Sequence, residues 1–146
     1  MASKVKYQLD LVRIFDRAYA DKSKEVRDKL RPFISNDEIK RDIGIEAIDK
    51  IVQRTREDKV DKNNAPLAKY SKAYIKSLQF QAYGKSAGAA DMTLTGEMLS
   101  SMLPTVKSSG TSLVIEFSDQ LNNDKAHGHI NGTKNLPVRN FFGLPP

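Results

Sequence analysis

The chain has 146 residues, enough for one domain with a sizeable core, and its lack of cysteine excludes disulfide scaffolds and thiolate chemistry. It has no run of about eighteen apolar residues and no apolar segment near Met1, so we expect no membrane span, no secretion signal and synthesis in the cytoplasm. The formal charge of +6 is concentrated between residues 50 and 85, where it can face phosphates, an acidic protein surface or, most commonly, solvent.

The N-terminal region predicts one strand followed by helices. The segment from Val5 to Leu11 alternates apolar and polar side chains, which is the period of a half-buried strand. The spacing of apolar residues then becomes helical from Leu11 to Ala18 and, more weakly, from Lys22 to Arg31.

The clearest predicted helix follows Pro32. Ser35 is a natural cap for its first turn, with Glu38 three residues later in the capping-box spacing. Gly44 weakens this helix without having to break it. The predicted apolar face consists of Ile39, Ile43, Ala47, Ile48, Ile51 and Val52. The opposite face, expected to lie in water, consists of Lys40, Arg41, Asp42, Glu46, Asp49 and Lys50.

A long loop is predicted over residues 57–69, and an aromatic segment with lysines beside it comes next. The aromatic and apolar members recur at roughly helical spacing: Tyr70, Tyr74, Leu78 and Phe80. The lysines beside them are Lys69, Lys72 and Lys76. Rings interleaved with basic side chains are typical of a single-strand nucleic-acid surface, but an amphipathic helix that docks its tyrosines on the core is the favoured interpretation.

The glycine-rich stretch 84–90 is predicted to be a flexible connector. It contains Gly84, Lys85 and Ser86 in the order found in phosphate-binding loops. Such a loop needs a further glycine five residues before this triplet, and that position holds Gln79.

The region from 91 to 131 predicts a short helix, a hairpin and a returning strand. Thr95 is a candidate cap for the helix, whose core-facing residues are Met98, Leu99 and Met102. A turn at 108–111 leads into a strand from Ser112 to Phe117, which completes the hairpin. A second turn at Asn122–Asp124 is expected to bring the chain back toward the sheet.

On that returning strand, His127 and His129 would share one face, as a metal site requires. Two ligands are too few, and the carboxylates of Asp119 and Asp124 are merely near in sequence. The chain also has no Gly-x-Ser-x-Gly elbow for a serine nucleophile. We therefore expect no metal, no cofactor and no catalytic residue.

The C-terminal segment carries an unusual concentration of aromatic and turn-forming residues. Phe141 and Phe142 can each bury about 150–250 Å². They lie either in this protein's core or against a neighbouring subunit. Arg139 has five fixed donors and is suited to binding a carboxylate or several carbonyls, in the same chain or the next one. Asn131 and Gly132 form a typical tight-turn pair.

Four short motifs follow one another through the second half of the chain. They are Tyr70-Ser71-x-x-Tyr74, Leu94-Thr95-Gly96, Ala126-x-x-His129-x-x-Gly132 and Arg139-x-Phe141-x-Gly143. In this order and spacing, residues 66–144 resemble the virion-morphogenesis and tail-completion proteins of tailed bacteriophages, also called head-tail joining or neck proteins. The first 65 residues match only in kind, as a strand followed by a long helix.

The resemblance implies a structural virion protein and not an enzyme. Such subunits form a homo-oligomeric ring, here expected to have six or twelve copies, between the portal or connector and the tail tube or tail terminator proteins. Its place is the head-tail junction of the virion, reached after synthesis in the host cytoplasm. The shared framework and subunit contacts would involve Thr95, Gly96, His129, Gly132, Arg139, Phe141 and Gly143.

The fold expected is α+β, a small antiparallel sheet with long N-terminal helices packed on it, in a single domain over residues 1–146. Its parts are a strand and helices at 1–57, a basic loop and short helix at 58–90, and a helix, hairpin and C-terminal motif at 91–146. The alternative function is a basic nucleic-acid-binding protein that uses residues 50–85. The two functions overlap, because genomic DNA passes through a neck. The basic residues that would face DNA or a partner are Lys59, Lys62, Lys69, Lys72 and Lys76.

Overall fold

The computed structural model describes residues 3–84, 90–92, 96–106 and 110–145. Thr95, connector residues 85–89 and residues 108–109 of the predicted turn lie outside the described part of the chain.

Three antiparallel strands form the sheet in the described residues. They are β1 (Lys6–Asp10), β2 (Met102–Val106) and β3 (Ser112–Phe117). β3 lies in the middle, with Gln8 of β1 and Thr105 of β2 both opposite Val114. The N-terminal strand and the hairpin strand expected from the sequence are both confirmed.

The short helix before β2 is shorter than its apolar spacing predicts. It is α6 (Glu97–Ser100), and Met102 already belongs to a strand. Met98 and Met102 are both buried, as expected, but Met102 is buried as a residue of the sheet and not of the helix. The amide of Ser118 donates to the carbonyl of Ser101 at 2.8 Å, so pairing with β3 takes over at this point. A short apolar run does not distinguish the two structures by its period alone.

Helices occupy most of the N-terminal half. They are α1 (Leu11–Ala18), α2 (Lys24–Leu30), a 3-10 turn (Arg31–Ser35), α3 (Asp37–Gln53) and a π turn (Arg54–Asp58). The predicted capping box at Ser35 is wrong. Asn36 caps α3, because its side-chain oxygen accepts from the amide of Ile39 at 3.1 Å. Ser35 ends the preceding 3-10 turn, and Asn caps helices as well as Ser does.

The apolar face of α3 packs on β2 and β3, with Ala47 and Ile51 buried. Gly44 lies where the helix comes closest to the sheet. A β-carbon at this position would lie 2.6 Å from Cβ of Pro104 and 3.0 Å from a methyl of Leu113. The glycine that weakens the isolated helix therefore permits the close approach of helix and sheet.

The sequence predicts that Lys40 lies on the solvent-facing side of α3, and this prediction is wrong. Its side chain is fully buried, with Nζ donating to the carbonyl of Gly110 at 3.0 Å and lying 3.1 Å from the carboxylate of Asp37. Gly110 precedes β3, so the lysine ties the first turn of α3 to the start of the central strand. The other five members of the predicted polar face are exposed.

The aromatic segment forms two short helices, α4 (Lys72–Ile75) and α5 (Leu78–Ala82). The rings of Tyr70, Tyr74 and Phe80 pack together with centroids 5.1–5.7 Å apart. The predicted amphipathic helix with docked tyrosines is confirmed only in part: Tyr70 packs against the main core, but it precedes α4, and the segment forms two short helices instead of one. The extension of the docked face to Leu78 is wrong, because that side chain is 86% exposed.

A helix, α7 (Gln120–Asn131), replaces the predicted turn and returning strand. Asp119 caps it, accepting from the amide of Asn122 at 2.9 Å. Asn123 is buried and holds the N-terminal segment, with its oxygen accepting from the amide of Val5 at 2.7 Å and its nitrogen donating to the carbonyl of Ser3 at 3.0 Å. Polar residues that resemble a turn are here a capped helix with a tertiary partner.

The architecture is α+β, as expected, with 51% helix and 15% strand among the residues that the structure describes. Phe141 and Phe142 both lie in the chain's own core, where Phe142 packs against Phe117 with ring centroids 5.2 Å apart. Of the two places open to the phenylalanines, the interior of the same chain is the one they occupy. In the described part of the chain, no helix combines the length and apolar character needed to cross a membrane.

Candidate functional site

Arg139 is the centre around which the sequence motifs meet. The side chain is 2% exposed, with Nε donating to the carbonyl of Ala68 and Nη2 to the carbonyl of Lys69, both at 2.7 Å. These bonds fix the C-terminal segment (residues 139–144) to the stretch of chain that precedes α4. The sequence left two kinds of partner for Arg139, a carboxylate or several carbonyls, in the same chain or the next one. The structure shows carbonyls of the same chain.

A second buried arginine holds the same segment from the other side. Arg54, at the start of the π turn, donates Nη1 to the carbonyl of Gly143 at 2.9 Å and Nη2 to the carbonyl of Phe141. Burial lowers the pKa of Arg54, while the nearby Asp61 raises it. The amide of Lys62 adds a bond to the carbonyl of Asn140 at 3.0 Å. The C-terminal segment is therefore held along its length by groups remote in sequence.

The bonds of Arg139 form an anchor for the C-terminal segment. Tyr70 connects this anchor to Asp91 and Met92, which follow the glycine-rich stretch. Its ring lies 5.3 Å from the guanidinium carbon of Arg139, within cation–π distance. Its hydroxyl is 3.0 Å from the carboxylate of Asp91 and accepts from the amide of Met92 at 3.1 Å. Burial, followed by the charge of Asp91, raises the pKa of Tyr70 to about 12. The phenol therefore stays neutral at physiological pH and acts as a fixed donor.

His129 contacts the same arginine through both its backbone and its ring. Its carbonyl accepts from the amide of Arg139 at 2.6 Å, and its Nδ1 lies 3.3 Å from Nη1 of Arg139. Burial, followed by the charge of Arg139, lowers the pKa of His129 to about 4. Since the guanidinium can only donate, we assign the neutral tautomer with Nδ1 as acceptor and the proton on Nε2.

The expectation that His127 and His129 share one face of a strand is wrong. Both belong to α7, where residues two apart point about 200° apart around the axis. The described residues contain no group of three or more His, Asp or Glu side chains that could hold a metal ion.

A cleft of about 650 Å³ opens beside this anchor. Its lining includes Tyr70, Tyr74, Met92, Gly96, His129 and Arg139. At its rim, Nζ of Lys125 lies 3.9 Å from the carboxylate of Glu97. Residues from all four sequence motifs thus line the same cleft, although they are spread over 70 positions of the chain, from Tyr70 to Arg139.

The motif glycines occupy special backbone positions. Gly132 ends α7 with φ +73°, and a β-carbon there would lie 3.0 Å from the side chain of Val138. The tight-turn interpretation of this residue is corrected to a helix end. Gly143 has φ +130°, and a β-carbon would lie 3.2 Å from the ring of Tyr7. Gly96, with φ +83°, is the N-cap of α6, whereas Thr95 lies outside the described residues.

The basic region does not form a uniform charged surface. Lys69, Lys72 and Lys76 are exposed, and Lys59 and Lys62 are partly buried. Arg54 of the same region is used inside the protein. Part of the positive charge between residues 50 and 85 is therefore structural.

Two residues of this site, Arg54 and Asp91, were not predicted from the sequence. Neither Arg54, which follows an amphipathic helix, nor Asp91, which follows the connector, stands in a recognisable motif. The one signal for Arg54 was a basic residue in line with the apolar face that contains Ile51, three positions earlier.

Comparison of the chain with models of protein families, with curated proteins and with solved structures finds no match in any of the three.

Proposed function

We propose that the chain is a structural component of a tailed-phage virion, a neck or tail-completion subunit that forms a ring between the portal complex and the tail. The observation that carries the proposal is the position of Arg139. It contacts the first motif at Tyr70, the third motif at His129 and belongs to the fourth. Motifs that resemble those of the neck proteins in order and spacing thus form one structural unit.

The chemistry of this unit favours a scaffold over a reaction centre. The guanidinium of Arg139 is directed at carbonyls of its own chain, and the Tyr70 hydroxyl is bound to Asp91 and Met92. His129 is neutral, with Nδ1 next to the arginine. Buried polar networks of this kind rigidify a fold, which suits a subunit that must present constant surfaces around a ring.

The surfaces for neighbouring subunits lie outside the anchor. Phe141 and Phe142 are buried within their own chain and are not available to another copy. A cyclic ring needs two different complementary patches on each subunit. Several large apolar side chains are more than half exposed and supply candidates: Phe33, Leu78, Leu121 and Val138. The portal or connector and the tail tube or tail terminator would be the partners above and below the ring.

The alternative, a nucleic-acid-binding protein, has the exposed lysines in its favour. Lys69, Lys72 and Lys76 can contact phosphates. The Tyr70 ring, however, already packs against Arg139, Tyr74 and other side chains, which leaves less aromatic surface for stacking on bases. The same lysines fit a neck subunit whose ring contacts the passing genome.

The test is genetic. A nonsense codon in this gene of the phage that encodes it should leave filled heads and separate tails in lysates viewed by electron microscopy. Supplying the wild-type chain from a plasmid should restore joined particles, whereas supplying the Arg139→Ala variant should restore fewer. Normal tailed, infectious particles made without the chain would exclude the proposed role. In that case, salt-dependent binding to oligonucleotides would support the alternative.

A further inference from the structure

The hydrogen-bond pattern of the sheet shows which backbone groups point outward from β1. The amide of Leu11 donates to the carbonyl of Thr111 at 3.1 Å, which continues the pairing of β1 with β3 by one residue. Hydrogen-bonded pairs alternate along an antiparallel ladder, so the odd-numbered residues of β1 point their backbone groups at β3. Outward-pointing backbone therefore belongs to Lys6, Gln8 and Asp10.

The opposite edge, on β2, is blocked at its centre. The bond from Ser118 to the carbonyl of Ser101 sets the same alternation on this side. Leu103 and Thr105 therefore point their backbone groups at β3, and Pro104 points outward. Proline has no amide hydrogen, so another strand cannot pair fully along this edge.

The edge of β1 is open. Among the described residues, no hydrogen bond reaches the outward backbone groups of Lys6 or Gln8, and both residues are exposed. An unpaired, solvent-facing strand edge is a template for a further strand.

We propose that the β1 edge binds β1 of a second copy of this chain, antiparallel, across a two-fold axis at Gln8. The charge pattern of the strand supports this occupant. In this register Lys6 lies directly opposite Asp10 of the second copy, and the symmetry repeats the pair. Opposite charges in direct cross-strand positions stabilise pairing, and like charges oppose it. Glu116 of β3 lies opposite Lys6 within the chain, but its carboxylate accepts from the hydroxyl of Thr105 at 2.7 Å, and the ammonium of Lys6 forms no ion pair among the described residues.

The pairing would join two three-stranded sheets into one continuous sheet. Gln8 would exchange two backbone bonds with its copy, and the amide of Asp10 would donate to the carbonyl of Lys6 on each side, which gives about four bonds. So small an interface makes a weak, reversible dimer. The dimer goes beyond the proposed virion role and does not depend on it.

Cysteine cross-linking tests the register, because the chain has no cysteine of its own. In Gln8→Cys, the two thiols would face each other with Cα atoms about 5.5 Å apart, within the range of a disulfide. In the control Lys4→Cys, also exposed, the thiols would be about 26 Å apart. Under mild oxidation we expect a cross-linked dimer of the first variant and a monomer of the second. Equal cross-linking of the two, or none of Gln8→Cys, would overturn the proposal.

Sedimentation equilibrium tests the charge pairing on the full chain. The wild type should rise from 16.4 kDa toward twice that mass with concentration. Lys6→Glu should raise the dissociation constant about tenfold, since two attractive pairs become repulsive. Adding Asp10→Asn should recover part of the affinity, because Asn removes the charge and still caps α1. A dissociation constant unchanged by Lys6→Glu, or a monomer at every concentration, contradicts the proposal.

Discussion

The guanidinium of Arg139 lies 5.3 Å from the centre of the Tyr70 ring and, through the carbonyls of the two residues before that ring, holds the C-terminal segment in place. The two residues are 69 positions apart, and each belongs to a motif recognised in the sequence. Their contact joins the irregular C-terminal segment to the aromatic segment that begins at Tyr70.

Arg139→Lys should destabilise the protein. Lysine keeps the charge but cannot reach both carbonyls and the histidine ring with one fixed fork. Each lost charge-assisted bond in a buried site costs about 1.5–3 kcal/mol, so we expect about 2–4 kcal/mol less free energy of unfolding. Urea denaturation followed by circular dichroism measures it. Arg17→Lys, at an exposed position, is the matched control and should stay within about 0.5 kcal/mol of wild type.

Two glycine-to-alanine changes in helices should have opposite signs. Gly44→Ala places a β-carbon 2.6 Å from Pro104 and should cost about 1–3 kcal/mol despite the better helix propensity of alanine. Gly128→Ala, in α7, meets only a methyl of Leu136 at 3.5 Å and should gain about 0.5–1 kcal/mol. Melting temperatures of the two variants, compared with wild type, measure the difference. Equal effects would mean that α3 does not lie so close to the sheet.

Acid should destabilise the fold through His129. Its pKa is about 4 in the folded chain, whereas the ordinary value of 6.5 applies when the chain is unfolded. Above pH 6.5 both states are neutral, and between pH 6.5 and 4 the unfolded state takes up a proton that the folded state does not. The free energy of unfolding should therefore fall as the pH falls through this window, by at most about 1.4 kcal/mol per pH unit from this group.

Substitution separates the contribution of this histidine from the rest of the acid response. In His129→Gln the slope between pH 6.5 and 4 should become shallower than in wild type. A slope in His129→Gln equal to that of wild type would mean that His129 does not carry the effect.

Alkaline pH should destabilise the fold through Tyr70. Its pKa is raised from 10.0 to about 12, so the unfolded state loses a proton before the folded state does. The free energy of unfolding should fall as the pH rises from 10 to 12. Absorbance at the phenolate band should show a late ionisation step near pH 12, and Tyr70→Phe should remove that step. A titration with no late step would contradict the buried hydroxyl.

Local patterns in the sequence predicted the elements that depend on local contacts. The alternation from Val5 and the apolar face through Ile51 corresponded to β1 and α3. The failures came where tertiary contacts override the local pattern. Asn123 lies in a run that resembles a turn, yet its amide holds the N-terminal segment and the run is helical. Lys40 lies on the polar side of its helix, yet a carbonyl next to β3 captures it.

The candidate site was predictable in its parts but not as a whole. Arg139 and His129 stand in motifs, and the expectation of carbonyl partners for the arginine was correct as one of its alternatives. Arg54 was not predictable as an anchor, because a π turn that places a basic side chain inward has no sequence period of its own. Residues 68–69 contribute only backbone oxygens, which no side-chain pattern reveals.

The proposed ring can be sought by quantification and imaging of purified virus particles. If a tailed phage encodes this chain, as proposed, we expect its particles to contain the chain in the copy number of a single six- or twelvefold ring, with density at the head-tail junction that fits the fold around Arg139. Particles that are complete and infectious but contain no copy of the chain would contradict it.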